Sequence, residues 1–172
     1  MSALHAAVLN TFKTRGWTYR KVEGQEVVES GFEAHHAKVM LHVQCFGESG
    51  IMSVVAGASF AVPHTHHAAA SELLMRVNKT LNVGNFELDW DHGQVFFRVT
   101  NVFPRHRADE QIIAALVHAA VAEVDRITPF LGELCRTPAG ELLLLNIPEL
   151  LRREELLPPA PDPGAGGPEP GT

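Results

Sequence analysis

The hydrophobic period changes once between residues 68 and 101, and no other feature restricts the possible folds as tightly. Leu73, Leu74, Val77 and Leu81 recur at the offsets that put side chains on one face of a 3.6-residue period, while Arg76, Asn78 and Lys79 fall elsewhere. From Phe86 the period drops to two. Phe86, Leu88 and Trp90 alternate with Glu87 and Asp89, as in a strand with one dry and one wet face. Asp91-His92-Gly93 then predicts a turn, because Gly adopts positive φ without a Cβ clash and Asp bonds its own neighbouring backbone. Val95, Phe97 and Val99 resume the alternation. A helix followed by a β-hairpin predicts an α+β arrangement, and nothing in this stretch does chemistry.

The rest of the chain supplies the layers around it. Leu4, Val8 and Phe12 stack at four-residue spacing and predict a first helix over 3–14, with Ser2 as N-cap and Gly16 as stop. Trp17–Val22 alternates and predicts a strand. A second follows Gly24, with Val28, Phe32 and Ala34 on one face. Lys38–Phe46 has a fully apolar face of Val39, Leu41, Val43 and Cys45 and a mixed face of Met40, His42, Gln44 and Phe46; the cleaner face is the core face. Ile51–Phe60 predicts a fourth strand, and Thr65 is placed to cap the second helix, which starts with Ala68, Ala69 and Ala70. Asp109 caps a long helix whose stripe of Ile113, Leu116, Val117, Ala120, Val121, Val124 and Ile127 lies across the sheet. Thr128-Pro129 predicts a break in it.

A helix ending in an Asn-rich loop, then NFELDW, a Gly turn, VFFRV and a long helix with a late Asp and Pro resembles the YbjN family over about residues 1–135. That family is similar in fold to the class I type III secretion chaperones. The resemblance implies the order α-β-β-β-α-β-β-α, an antiparallel sheet of five to six strands with helices on one face, and a module that holds a segment of another protein. Residues 136–157 are expected to form a leucine-rich helical extension, and residues 158–172, rich in Pro and Gly, a disordered tail.

Composition narrows the function. A net charge of −6 lacks the electrostatic footprint of a general nucleic-acid binder. No apolar run reaches the length of a membrane span, and the first residues lack a basic start followed by an apolar core, so the protein is expected to be cytoplasmic and free of membrane. Cys45 and Cys135 are far apart, without CxxC spacing, and read as small core residues. Ser30, Ser53 and Ser59 lack an activating turn, and Glu87 and Asp89 fall on the wet side of the hairpin, so no catalytic residue is expected.

His64, His66 and His67, with His35 and His36 upstream, are the one cluster with metal-ligand types. They lack convergent donors at zinc spacing and read as solvated loop and helix-start histidines; no metal and no cofactor is expected. Strand parity places Met40, His42, Phe46, Phe96 and Arg98 on the face away from the helices. A mixture of Met, Phe and Arg is the composition of a protein-binding patch. The expectation is a non-enzymatic, chaperone-like or regulatory protein-binding module. Its rivals are a His-dependent metal or small-ligand protein and a purely structural homodimer. The alanines of the second helix and the leucines after Gly140 predict a homodimer in any case.

Overall fold

The computed structural model describes residues 1–104 and 108–157. The element order is α1 (Ala3–Thr14), β1 (Arg20–Lys21), β2 (Val27–Glu33), β3 (Lys38–Phe46), β4 (Ile51–Ala61), a 3-10 turn (His64–His66), α2 (His67–Asn78), β5 (Asn85–Leu88), β6 (Gln94–Val102), α3 (Glu110–Arg136) and α4 (Ile147–Leu150), with further 3-10 turns at Ala139–Leu144 and Glu154–Leu156. Six strands pair antiparallel in the spatial order β1-β2-β3-β4-β6-β5. The two-residue β1 adds one strand to the order that the resemblance implies.

Parity decides which face is covered. Val39, Leu41, Val43 and Cys45 of β3, Val54 and Ala56 of β4, and Val95, Phe97 and Val99 of β6 are buried in one cluster with Val8 and Phe12 of α1, Leu73 and Val77 of α2, and Ile113, Val117, Val124 and Ile127 of α3. The helices therefore lie on one side, and the opposite parity faces outward. Two caps form as the sequence predicts: Ser2 Oγ accepts from His5 N, and Asp109 accepts from Gln111 N and Ile112 N. A Cβ at Gly93, where φ is +70°, would stand 2.2 Å from the Val62 carbonyl oxygen, so the hairpin turn requires glycine there.

Several local expectations are corrected. Trp17 and Tyr19 do not pair in a strand. Their rings pack edge-on against Phe12, and that contact replaces the ladder until Arg20. Ala34 has left β2 for a turn closed by Ala34 N donating to Ala37 O. Leu81 lies beyond α2, though it still packs on the core. Thr65 does not cap α2: a 3-10 turn precedes the helix, the cap position is His66, and the Thr65 hydroxyl bonds His66 Nδ1 at 2.9 Å. Trp90 sits in the turn, 55% exposed, with its ring against His67.

The long helix also does not break at Pro129. An interior proline costs about 3 kcal/mol. Phe130, Leu131 and Leu134 beyond it are buried, and three such side chains contribute about 5–9 kcal/mol, so continuing the helix wins. The leucine-rich segment after it is mostly 3-10 turns with one short helix, α4. Ile147 and Leu150 reach the core, whereas Leu143 and Leu144 are 99% and 85% exposed. The expected disordered tail over 158–172 lies outside the described residues.

Candidate protein-binding face

Cross-strand registers lay out the outer face row by row. Gly31, Met40, Gly57, Phe96 and Glu87 form one row across β2, β3, β4, β6 and β5, and Glu29, His42, Val55, Arg98 and Asn85 form the next. In the first row large side chains alternate with glycines, and each large one uses its neighbour as a floor. A Cβ at Gly31 would stand 3.0 Å from Met40 Sδ, and one at Gly57 would stand 3.4 Å from the Phe96 ring. Met40 and Phe96 thus lie down on bare backbone and present flat apolar surface, Met40 being 54% exposed.

Met40, His42, Phe96, Val55 and Glu29 line an open pocket of 410 Å³. A second pocket of 290 Å³, lined by Tyr19, Arg20 and Gly31, shares Met40 and Glu29 with it, so the two form one groove with Met40 as the ridge between them. Arg98 borders this groove and gives its charge to Glu87, through Nε–Oε1 at 2.8 Å and Nη2–Oε2 at 3.1 Å. The Arg98 hydrogen bonds hold the Glu87 carboxyl below its usual range. Arg20 likewise bonds Glu29. Partial burial, with Arg98 nearby, lowers the His42 pKa.

Phe46 does not join its four expected companions. It lies six residues along β3 from Met40, about 20 Å at the rise of a strand. It forms a separate apolar row with Ile51 and the 65%-exposed Val102. A polar row intervenes, in which Thr100 Oγ1 donates to Ser53 Oγ.

The histidine cluster is not solvated as expected. His66 and His67 are buried, with His66 Nε2 2.8 Å from the Thr137 carbonyl and His67 Nε2 3.0 Å from that of Val62, while His64 and His35 are exposed and His36 is half-buried. Those nitrogens tie the start of α2 to the residue after α3 and to the segment that leaves β4. Among the described residues no group of three or more His, Cys, Asp or Glu is placed to hold a metal ion. Burial pushes the Cys45 thiol up to about 12, which keeps it in the unreactive thiol form. A further pocket of 590 Å³ beside α1 is lined in part by His5, whose ring nitrogens are buried without a hydrogen-bond partner.

Sequence reasoning missed two polar residues that set the frame of this face. Asn78, at the end of α2, donates to Phe86 O at 3.0 Å and accepts from Phe86 N at 2.7 Å, so it takes the place of a further strand beside β5. Asp125, buried on α3, accepts from His36 N and Ala37 N at 2.6 and 3.1 Å and fixes the β2–β3 turn. Asp125 carries only a weak signal, because two acids, Glu123 and Asp125, flank Val124 of the apolar stripe and the sequence does not say which one turns inward. Asn78 carries none, because its helical offset reads as solvent-facing.

The fold is thus a six-stranded antiparallel sheet with helices on one side and an open outer face. A crystal structure of the ExsC–ExsE complex shares it, with a TM-score of 0.58 at 10% identity over 76% of this chain and 97% of that one. The crystal structure of YbjN from E. coli shares it too, with a TM-score of 0.55 at 8% identity over 70% of this chain and 85% of that one. The chain belongs to the YbjN family, described as "Putative bacterial sensory transduction regulator", whose model matches residues 5–133. No functionally curated protein matches the sequence. Among the described residues no helix is long and apolar enough to cross a membrane.

Proposed function

We propose that this chain is a non-enzymatic, cytoplasmic regulatory module that captures a segment of another protein on the outer face of its sheet. One observation carries the reading: Met40 and Phe96 lie on glycine floors and line a groove on the face that the chain's own helices leave open. The family description and the complex formed by ExsC support a protein as the partner. The test is affinity capture from cell extract, read against two variants. Phe96→Ala should lose the retained partner, since truncating an interface anchor costs about 2 kcal/mol or more. Met75→Ala, an equally simple change at an exposed methionine on α2, should keep it. Retention by both variants alike would remove the groove from the function.

Self-association is a second reading, and Leu143 and Leu144 favour it, because so much exposed leucine on one turn is a surface that another copy can cover. Sedimentation equilibrium should give a dimer mass for the whole chain and a monomer mass for Leu143→Ser with Leu144→Ser. A monomer mass for the unmodified chain at micromolar concentration rejects this reading.

A further inference from the structure

We propose that the outer groove takes an uncharged, apolar segment of another protein, and that a proton on His42 sets how tightly it is held, with capture at neutral pH and release in acid. The proposal rests on the outer face being the binding face.

The charge layout argues for the occupant. Among the described residues, each permanent cation on this side has its own counter-charge: Arg98 on β6 is bonded to Glu87 on β5, Arg20 on β1 to Glu29 on β2, and Lys38 on β3 lies 3.4 Å from Glu33. A charged segment would have to break one of these pairs or go unpaired, whereas an apolar one meets Met40, Val55 and Phe96 with the pairs left intact. His42 stands in the middle of this neutral surface. Its register neighbours are Glu29 on one side and Val55 on the other, with Arg98 one strand further on.

Among the described residues of this face, a proton on His42 therefore adds the one charge without a permanent counter-charge of its own, since Glu29 beside it is already bonded to Arg20 and the Arg98 guanidinium stands one strand beyond Val55. Covering His42 with apolar atoms makes that charge costlier still. The sign follows. The bound state disfavours the proton more than the free state does, so the complex holds fewer protons, and affinity falls as pH drops through the free-state pKa of His42. Burial and Arg98 already set that pKa below the ordinary 6.5, against a smaller opposing effect of Glu29. The loss therefore sets in only below that ordinary value.

The test uses the full chain and a defined probe: N-acetylated, C-amidated nonapeptides in which Leu, Met or Phe alternates with Ser and Gly, beside matched sets carrying Asp or Lys in place of Ser. The uncharged set should bind best, with affinity falling by up to about tenfold per pH unit in acid. The His42 imidazole, followed by NMR, should titrate at lower pH in peptide-saturated protein than in free protein. Whatever affinity His42→Gln keeps, its pH slope should flatten, and if that variant binds nothing the NMR titration decides. An unchanged His42 midpoint on saturation, an unaltered slope in His42→Gln, or preference for a charged set overturns the proposal while leaving the face intact. Failure of every peptide set at every pH, or peptide binding indifferent to Phe96→Ala, overturns the binding face itself. Self-association abolished by Phe96→Ala puts a second copy in the groove and overturns the peptide occupant.

Discussion

Phe97→Ala should lower the unfolding free energy by about 3–5 kcal/mol, while its neighbour Phe96→Ala should cost about 1 kcal/mol or less. The two residues are adjacent on one strand with opposite parity. Phe97 is fully buried, its ring centroid 5.0 Å from that of Phe86, and its truncation leaves a cavity that the packed sheet and helices cannot close. Phe96 lies on Gly57 and touches solvent, so its loss uncovers backbone without opening a void. Denaturant melts of the pair check the assignment of faces without any partner. Equal destabilisation would mean that the outer face is covered by the protein itself, and the groove would then have no access to a segment from outside.

Asp125→Ala should be the next most damaging change, at about 2–3 kcal/mol, because it strands two donors at once. His36 N and Ala37 N both donate to Oδ1 of a carboxylate that is itself only 6% exposed. Asp125→Asn keeps an acceptor in the same place and should recover a large part of the loss. Hydrogen exchange locates the effect: in Asp125→Ala the amides of His36 and Ala37 should lose protection ahead of the core of β3 and β4. If protection there is unchanged, the carboxylate is not what holds the β2–β3 turn.

The sheet was legible wherever a face is dry. β3 matches its sequence range from Lys38 to Phe46, and the inward set of Val43, Phe97 and Val99 is buried, because a one-residue slip would expose every one of them. Legibility fails where a contact distant in sequence overrides a local signal. Trp17 prefers Phe12, Phe32 and the His118 ring to a strand partner, and Pro129 is carried through by side chains a turn later. The candidate face was readable as a parity but not as a place. Alternation put Met40, His42, Phe46, Phe96 and Arg98 on one side, yet the polar row through Ser53 and Thr100 that sets Phe46 apart depends on registers between strands that are distant in sequence. The glycine floors were equally hidden, since Gly31 and Gly57 meet their partners only across the ladder.

The Asn78 side chain beside β5 also decides how many copies could ever join through their sheets. Growth of a fibre by edge-to-edge addition needs two receptive edges on every molecule, one to accept the next copy and one to be accepted. Here Phe86, the second of the four residues of one edge strand, already has both outward backbone groups taken by Asn78, and the opposite edge is only the two residues of β1. Pairing through that remaining edge closes after two molecules and leaves no growing end. A carboxamide on one helix thus works against open-ended growth through the β5 edge, and Asn78→Ala would return the Phe86 N–H and C=O to it.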